Sequence, residues 1–378
     1  MSLSFKNKRI ILIEKEKILG SHASTRNSGV IHSAFHLKPG SLKAKFCKLG
    51  SRRLINYCQE NNIPCKKVGK LVVALNEEEV KRLRIYEKWG KENGEETRIL
   101  SREEFKRFEP YAECIETIYS LNAAVVDQRK LINNIGIELR KLGVKILTDC
   151  KFIKAYGRNK INIETTKGLI ETNYLINSAG LYADKIAHSL GFGQEYFIIP
   201  IRGDYLEIKE EYSYLVNGMV YPIPDFKIPF LGIHFTKRVD GKVILGPNAS
   251  LSFGRENYYI YDVNLLEFFE TVFNIRFLKL IKNYEFIKLA IKELRKSISV
   301  KEFIKEAKRI IPLIDKNMLK RSFSGIRAQL INKDGKLIED FVIEYDDRSM
   351  HILNAVSPGF TSSFAFADYV KNILLNKI

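Results

Sequence analysis

Polar side chains that could do chemistry occur inside apolar segments of the chain. Arg327 lies in "SGIRAQL", and a buried guanidinium needs an anionic partner, which a bound carboxylate or an internal salt bridge would supply. His234 in "GIHFT" alternates with Ile233 and Phe235, so it faces the other side of a strand, as a structural residue or as a base. Tyr205 in "RGDYL" would add a hydrogen bond across the same sheet. Together these residues predict a pocket that binds an acid and removes a proton.

The turn after the first apolar strand carries side chains suited to a nucleotide. Residues Ile10 to Ile13 form a short apolar run, typical of a parallel strand buried on both faces. Glu14 follows the strand, where an acidic residue can accept the hydroxyls of an adenosine ribose, and Lys15 comes next. A polar loop that caps a helix is the alternative interpretation of the segment that follows, "SHASTRNSGV". Its small residues and phosphate donors are Ser24, Thr25, Arg26, Asn27, Ser28 and Gly29.

Helices and strands that would position these residues can be read from the first half of the chain. Helical spacing begins near Leu42 and ends before Pro64, and the apolar run Lys70 to Leu75 predicts a strand. The charged segment "EEEVKRLRIYEKWGKENG" predicts a surface helix. Ser101 and Glu104 form a capping box that begins another short helix. Helices and strands then alternate, which is typical of a parallel sheet.

The second half of the chain has a different pattern. Beyond Pro200 the strands predict an antiparallel sheet with a hairpin turn at Asp240-Gly241, and a helical block from Val263 to Ile311 is expected to cover it. We therefore predict an α/β fold that combines a nucleotide-binding part, with parallel strands, and a second part built on an antiparallel sheet.

Composition excludes several classes of protein. The chain has 378 residues, 45% of them hydrophobic, which is enough for two domains. Its formal net charge of +18 is spread over nearly every segment, so we expect solvated helix faces and no nucleic-acid partner. No window is apolar enough to span a bilayer, and the charged opening lacks the apolar region of a signal peptide. These features favour a cytoplasmic protein.

Cysteines and histidines give no sign of a metal. The five cysteines are widely spaced and include no CxxC pair, so we expect reduced thiols. His32 and His36 are four positions apart, which would suit a metal on a helix, but "GVIHSAFHL" predicts an extended segment. We predict no metal site.

Eight segments spread over almost the whole chain carry a shared resemblance. In order, they are "STRNSGVIHSAFHLKPGSLKAKFC", "VGKLVVA", "INSAGLYAD", "IRGDYLEI", "YPIPD", "PFLGIHFTKRVDGKVILGPNA", "SGIRAQL" and "NAVSPGFTSS". Together they resemble one enzyme family, the flavin-dependent L-2-hydroxyglutarate oxidases and dehydrogenases of the D-amino-acid-oxidase-like superfamily.

The resemblance implies an α/β fold with a Rossmann-like FAD-binding domain, truncated at its N-terminus, and an antiparallel-sheet α+β substrate domain. The FAD-binding domain would be discontinuous, over 1-75, 120-195 and 322-378, and the substrate-binding domain would take 76-119 and 196-321.

The resemblance also implies FAD as cofactor, an L-2-hydroxy dicarboxylate such as L-2-hydroxyglutarate as substrate, and electron transfer to oxygen or to a membrane quinone. A quinone would require peripheral contact at the inner face of the membrane. Oxidases of amino acids or of glycerol 3-phosphate are the alternatives within the superfamily.

The resemblance also implies roles for individual residues. Arg327 would bind the substrate carboxylate, His234 would be the base, and Tyr205 would hydrogen-bond the substrate. His32 would lie against the flavin, and "INSAG" would bring the backbone of Ala179 and Gly180 to FAD; an ordinary strand-to-helix corner is the alternative. The N-terminus of the last helix, at Gly359, Phe360 and Thr361, would stabilise negative charge on the reduced flavin ring.

One family feature is missing from the sequence. In dinucleotide-binding folds the acidic ribose contact follows a G-x-G-x-x-G fingerprint by ~20 residues. Only thirteen residues precede Glu14, and the fingerprint occurs nowhere in the chain. We expect a gap in the sheet and a diphosphate that no helix N-terminus neutralises. A start codon assigned too late, and a truncated, catalytically impaired or split copy of such a gene, are the two explanations.

Overall fold

The computed structural model describes residues 8–157, 160–224 and 232–375. The charged opening "MSLSFKN" lies outside the described residues. So does "DFKIPFL", which overlaps the matching segments "YPIPD" and "PFLGIHFTKRVDGKVILGPNA". The strands are β1 (Ile11–Ile13), β2 (Val30–Ile31), β3 (Cys65–Lys67), β4 (Lys70–Ala74), β5 (Thr97–Ser101), β6 (Glu116–Ser120), β7 (Ala124–Val126), β8 (Lys145–Leu147), β9 (Phe152–Tyr156), β10 (Ile161–Thr165), β11 (Gly168–Thr172), β12 (Leu175–Asn177), β13 (Phe197–Ile208), β14 (Met219–Pro222), β15 (His234–Lys237), β16 (Val243–Gly246), β17 (Ser250–Leu251), β18 (Leu319–Ile331), β19 (Val342–Tyr345) and β20 (Ser349–Asn354). The α-helices are α1 (Leu42–Glu60), α2 (Glu77–Glu92), α3 (Arg102–Phe108), α4 (Gln128–Lys141), α5 (Ala183–Ser189), α6 (Leu265–Val272), α7 (Ile275–Leu280), α8 (Tyr284–Ile298), α9 (Val300–Ala307) and α10 (Gly359–Leu375). Within the described ranges, none of these helices is long and apolar enough to cross a bilayer.

Local sequence signals for several elements are confirmed. α1 begins at an N-cap, Ser41, whose side chain accepts from the Ala44 N–H, and α3 begins with the full capping box of Ser101 and Glu104. The turn at Asp240-Gly241 joins the antiparallel strands β15 and β16. These elements are fixed by short-range hydrogen bonds that a few neighbouring residues specify.

The largest sheet has nine strands, in the order β17-β13-β16-β15-β14-β4-β6-β5, with β18 also paired to β13. β13 and β18 run antiparallel along their whole lengths and place Ile201 opposite Arg327. We call this sheet the large sheet. Its core includes Phe235, Leu245 and Phe303, all nearly inaccessible to solvent, so α9 packs on it as expected of the helical block.

The predicted domain boundaries cut through the large sheet. β4 lies within 1–75, which we assigned to FAD binding, yet it pairs with β14 and β6 of the large sheet. β18 begins at Leu319 and crosses the predicted boundary at residue 322. We propose that β4 and all of β18 belong with the substrate-binding domain.

A second layer of parallel strands lies beside the large sheet in two separate pieces. β1 pairs with β8, and β12 pairs with β20, which also carries the antiparallel β19. Ile13 of β1 and Leu175 of β12 both pack against the same small sheet, formed by β9, β10 and β11. The two pieces are therefore side by side, and the gap expected from the sequence separates them. We call them the parallel layer.

The prediction that the first strand is buried on both faces is wrong. Ile11 is 43% exposed, and among the described strands β1 pairs only with β8. Lys145 N–H donates to the Ile10 carbonyl and Glu14 N–H to the Leu147 carbonyl, so these residues face β8. By alternation, the peptide groups of Ile11 and Ile13 face the opposite, unpaired edge.

The prediction that "GVIHSAFHL" is extended holds only for β2. Residues Ala34 to His36 form a 3-10 helix. The cause is a tertiary contact, because the side-chain amide of Asn93, just beyond α2, donates to the carbonyls of Ala34 and Leu37. A hydrophobic pattern could not predict this bond.

Candidate active site

One large cavity lies between the parallel layer and the large sheet. Its volume is about 3220 Å³, several times the roughly 300–1,000 Å³ of ordinary ligand pockets. Thr25 and Gly29 are the predicted residues that do not line it. The predicted residues that do line it are Glu14, Lys15, Ser24, Arg26, Asn27, Ser28, His32, Ala179, Gly180, Tyr205, His234, Arg327, Gly359, Phe360 and Thr361.

Arg327 lies on β18 at the floor of the cavity. Its Nη1 donates to the Asn248 carbonyl at 3.3 Å, and burial lowers the pKa of the guanidinium. Two other buried arginines near the large sheet pair with carboxylates inside the protein: Arg202 with Asp204, and Arg255 with Asp184. Arg327 lines the cavity, where the planar fork of a guanidinium suits a carboxylate.

His234 lies at the first position of β15 and is 3% exposed. Its Nδ1 lies 3.0 Å from the Gly232 carbonyl, which can only accept, so Nδ1 carries the proton and Nε2 carries a lone pair. Burial lowers the pKa of His234 to about 3, so the ring stays neutral near pH 7. The ring stacks on Tyr221, with centroids 3.8 Å apart. A fixed neutral imidazole of this kind can accept a proton.

Tyr205 connects the large sheet to the loop between β1 and β2. Its hydroxyl lies beside the side chain of Ser28, and burial raises the pKa of Tyr205. Gly325 of β18 lies against the same loop, since a Cβ at Gly325 would be 2.1 Å from the Arg26 carbonyl oxygen. The two groups of predicted residues, on loop and sheet, are therefore in contact.

A cluster of buried polar residues that was not predicted lies at one end of this site. Lys70, at the start of β4, is 1% exposed, and burial lowers its pKa to about 7. Its Nζ lies 3.4 Å from His36 Nδ1 and over the rings of Phe35 and Tyr221. Burial, followed by the charge of Lys70, holds the pKa of His36 well below its usual range. A lysine opening an apolar strand was the available signal, but only tertiary packing buries it.

Glu14 ends β1 at the rim of the cavity. Its Oε1 accepts from the Glu16 N–H at 2.9 Å, which bends the chain away from the strand. Lys15 lines the cavity as well, and its ammonium lies 2.6 Å from Glu256 and 2.9 Å from His22 Nε2. Burial opposes its charge, but the carboxylates of Glu16 and Glu256 raise the pKa of Lys15.

The loop after Glu14 is held by its own polar groups. Arg26 Nε donates to the Ser21 carbonyl, and its guanidinium lies 3.9 Å from the centroid of Tyr258. Asn27 Oδ1 accepts from the Gly29 N–H at 2.8 Å. Thr25 Oγ1 donates to a carbonyl within the loop, at Gly20. Thr25 and Gly29 therefore shape the loop instead of facing the cavity.

The start of α10 meets His32, which directly follows β2. The His32 N–H donates to Thr361 Oγ1 at 3.0 Å, while His32 Nδ1 is buried and has no hydrogen-bond partner. Burial holds the pKa of His32 well below its usual range. An unpartnered buried nitrogen costs free energy unless a ligand satisfies it. Across the cavity, Gly180 has a φ of +57°, and a Cβ there would meet open space.

The gap in the parallel layer opens into the same cavity. Ile10 to Ile13 and Tyr174 to Asn177 all line the cavity, although successive side chains of a strand point to opposite faces. Both strands must therefore present an edge to it. We call the space between these edges the slot. α4 and α10 also border the cavity, through Ile132 and Phe364 among others.

Comparison with known proteins matches nearly the whole chain to one family. The family model described as "FAD dependent oxidoreductase" matches residues 2–373. The L-2-hydroxyglutarate dehydrogenase of Indibacter alkaliphilus is 40% identical over 367 residues, covering 96% of this chain and 92% of that protein. The mitochondrial L-2-hydroxyglutarate dehydrogenase of Homo sapiens is 37% identical over 381 residues, covering 95% of this chain and 81% of that protein.

Solved structures share the fold at lower identity. L-alpha-glycerophosphate oxidase from Mycoplasma pneumoniae, solved with FAD bound, has a TM-score of 0.76 at 22% identity and covers 96% of this chain and 88% of that chain. Glycine oxidase from Geobacillus kaustophilus has a TM-score of 0.74 at 16% identity and covers 100% and 90%. At these identities the likeness concerns the fold alone.

Proposed function

Because this chain belongs to the family of FAD-dependent oxidoreductases, we propose that it oxidises L-2-hydroxyglutarate to 2-oxoglutarate. The observation that carries the proposal is the shared cavity, in which Arg327 and His234 lie together with the loop that follows Glu14. An acid-binding cation and a neutral base therefore adjoin residues suited to a dinucleotide. The relatives named for this substrate cover nearly the whole chain.

Residues at both ends of the cavity suit the two ends of FAD. We propose that Glu14 accepts the ribose hydroxyls and that Arg26 and Ser24 face the phosphates. At the other end, the N-terminus of α10 and the unpartnered His32 Nδ1 would meet the flavin ring. The chemistry that FAD supplies when bound is acceptance of two electrons as a hydride.

The large sheet would supply the remaining chemistry. We propose that Arg327 binds the carboxylate next to the hydroxyl and that Tyr205 fixes the orientation of the substrate. His234 Nε2 takes the hydroxyl proton, so that the C–O bond becomes a carbonyl as the alpha hydrogen leaves with its electron pair. Burial of His234 and Tyr205 keeps water away from this step. The electrons would then pass to oxygen or a quinone, which oxygen-consumption and quinone-reduction assays separate.

An anaerobic titration of the FAD-loaded protein tests this function. L-2-Hydroxyglutarate should bleach the flavin, whereas its D-enantiomer, glycine and glycerol 3-phosphate should not. Bleaching by glycine or by glycerol 3-phosphate in preference to L-2-hydroxyglutarate would assign the chain to another oxidase of the superfamily. An absence of bleaching by all four compounds would indicate a catalytically impaired protein.

A further inference from the structure

Exposed apolar side chains are concentrated in one part of the molecule. Of the 31 large hydrophobic residues that the described ranges expose, 14 lie between residues 259 and 298, a span of 40 residues. Leu266 is 84% exposed, and Phe273, Tyr261 and Tyr284 are each more than 70% exposed. Single exposed apolar residues are normal, but a cluster of this kind marks an interaction surface.

The exposed side of α8 is apolar, and charged residues are buried on the side that faces the protein. Its exposed apolar residues recur every three or four positions and so form one stripe along the helix. They are Tyr284, Ile287, Ile291, Leu294 and Ile298. The side that faces the protein instead buries two charged residues, Glu293 and Lys296.

Hydrogen bonds explain why α8 is oriented this way. Lys296 Nζ lies 2.6 Å from Glu293 Oε1 and also contacts Glu306 of α9. Glu293 Oε2 accepts from the Ala249 N–H at 2.9 Å, and Ser297 Oγ donates to Asp204 at 2.7 Å. Rotating the stripe inward would break these buried bonds, at a cost that isolated buried charges make large. The stripe must therefore face outward.

Basic residues flank the stripe. Lys282, Lys288, Lys292 and Arg295 are exposed around it, with Glu285 as the exposed acid of α8. α6 adds a second exposed apolar row, formed by Leu265, Phe269 and Phe273 at helical spacing. An apolar helix face with aromatic residues and a lysine-rich margin is typical of helices that lie in the interface of an anionic membrane. We call α6 to α8 the basic-apolar face.

We propose that the basic-apolar face docks on an anionic lipid bilayer, with the α8 stripe inserted among the lipid headgroups. Charge favours lipid over a second copy of the chain, because each copy carries +18 and two such copies repel. The docked helix lies close to the active site, since the Asn248 carbonyl accepts from Arg327 while its side chain donates to Ser297 of α8. The proposal does not depend on which acid the enzyme oxidises.

Vesicle flotation with the purified, FAD-loaded protein tests this proposal. We expect the protein to float with vesicles of phosphatidylcholine and phosphatidylglycerol at low salt, and with pure phosphatidylcholine at least tenfold less. The variant Ile291→Ser/Ile298→Ser should lose at least tenfold of the binding. The matched control Ile85→Ser/Leu313→Ser removes two exposed apolar residues elsewhere and should bind like wild type.

Charge and self-association provide independent readouts. Lys288→Glu/Lys292→Glu should weaken binding to the anionic vesicles by at least about fivefold for each lysine, from roughly 1 kcal/mol per charge. Equal binding by the stripe variant and its control would overturn the proposal, as would failure of the wild type to float. A dimer in light scattering that the stripe variant alone abolishes, without loss of vesicle binding, would instead assign the face to a second copy. Matching melting temperatures confirm that each variant is folded.

Discussion

The large sheet and the parallel layer differ in how completely their strands are paired. In the large sheet, β13 and β18 bond along their full lengths, and Arg327 and His234 are fixed by neighbouring backbone carbonyls. In the parallel layer, β1 and β12 each present to the slot an edge that pairs with no other described strand. The proposed substrate part of the site is therefore built on fully paired strands, whereas the proposed FAD part borders strand edges that the described residues leave unpaired.

The greatest loss of activity is expected on removing the charge of Arg327, on the large sheet. Arg327→Met should lower kcat/KM for L-2-hydroxyglutarate by about 10³-fold, because losing one partner of a buried charge pair costs roughly 3–5 kcal/mol. Steady-state kinetics and calorimetric titration of 2-oxoglutarate would measure it. Arg321→Met, at an exposed position of the same strand, serves as the control. A loss of less than tenfold would mean that another group binds the carboxylate.

A smaller loss is expected for the base beside it. His234→Gln should lower kcat by at least about 10²-fold, the usual contribution of a positioned base, while 2-oxoglutarate still binds. His188→Gln, on α5 outside the cavity, should leave kcat unchanged. An unchanged kcat in His234→Gln would assign His234 a structural role.

Hydrogen exchange compares strand pairing in the parallel layer with strand pairing in the large sheet. The amides of Ile11, Ile13 and Ile176, which face the slot, should exchange at least roughly a hundredfold faster than those of β13 and β18, because exchange follows local pairing. Exchange followed by mass spectrometry on the protein without added ligands measures the difference. Equal protection of these two sets of amides would mean that the slot is closed in solution. The parallel layer would then be as completely paired as the large sheet.

A pH dependence of stability is expected from Lys70. Its folded pKa of about 7 lies below the ordinary lysine value of 10.5, so between these values the unfolded chain binds more protons than the folded one. Stability from this residue should therefore rise with pH across that window, by up to about 1.4 kcal/mol per pH unit. Urea unfolding of wild type and Lys70→Met at several pH values measures it. Parallel curves for the two proteins would show that folding does not lower the pKa of Lys70.

The sequence was informative where neighbouring residues specify the structure. The capping box of Ser101, the hairpin at Asp240-Gly241 and the pattern around His234 are local signals, and the structure has these elements where they were expected. The missing fingerprint predicted a gap in the parallel layer, and that gap is present among the described strands.

Structural features that depend on tertiary contacts were not predicted from the sequence. The exposure of Ile11 depends on which strands pair with β1, and the 3-10 helix before Leu37 depends on Asn93. Lys70 is buried only because other elements cover it. The helical block from Val263 to Ile311 was expected to cover the antiparallel sheet, but the sequence did not indicate that the buried pair Glu293 and Lys296 would turn the apolar side of α8 outward. The spacing of apolar residues shows which side of a helix is apolar, but it does not show what that side contacts.

We infer that the large sheet binds a 2-hydroxy dicarboxylate between Arg327 and His234. A crystal structure of the FAD-loaded protein with 2-oxoglutarate would test this binding mode. We predict a carboxylate on the Arg327 guanidinium and the ketone oxygen within ~3 Å of His234 Nε2, the distance that proton transfer requires. A ligand bound elsewhere in the cavity, or one whose ketone oxygen points away from His234, would contradict the account.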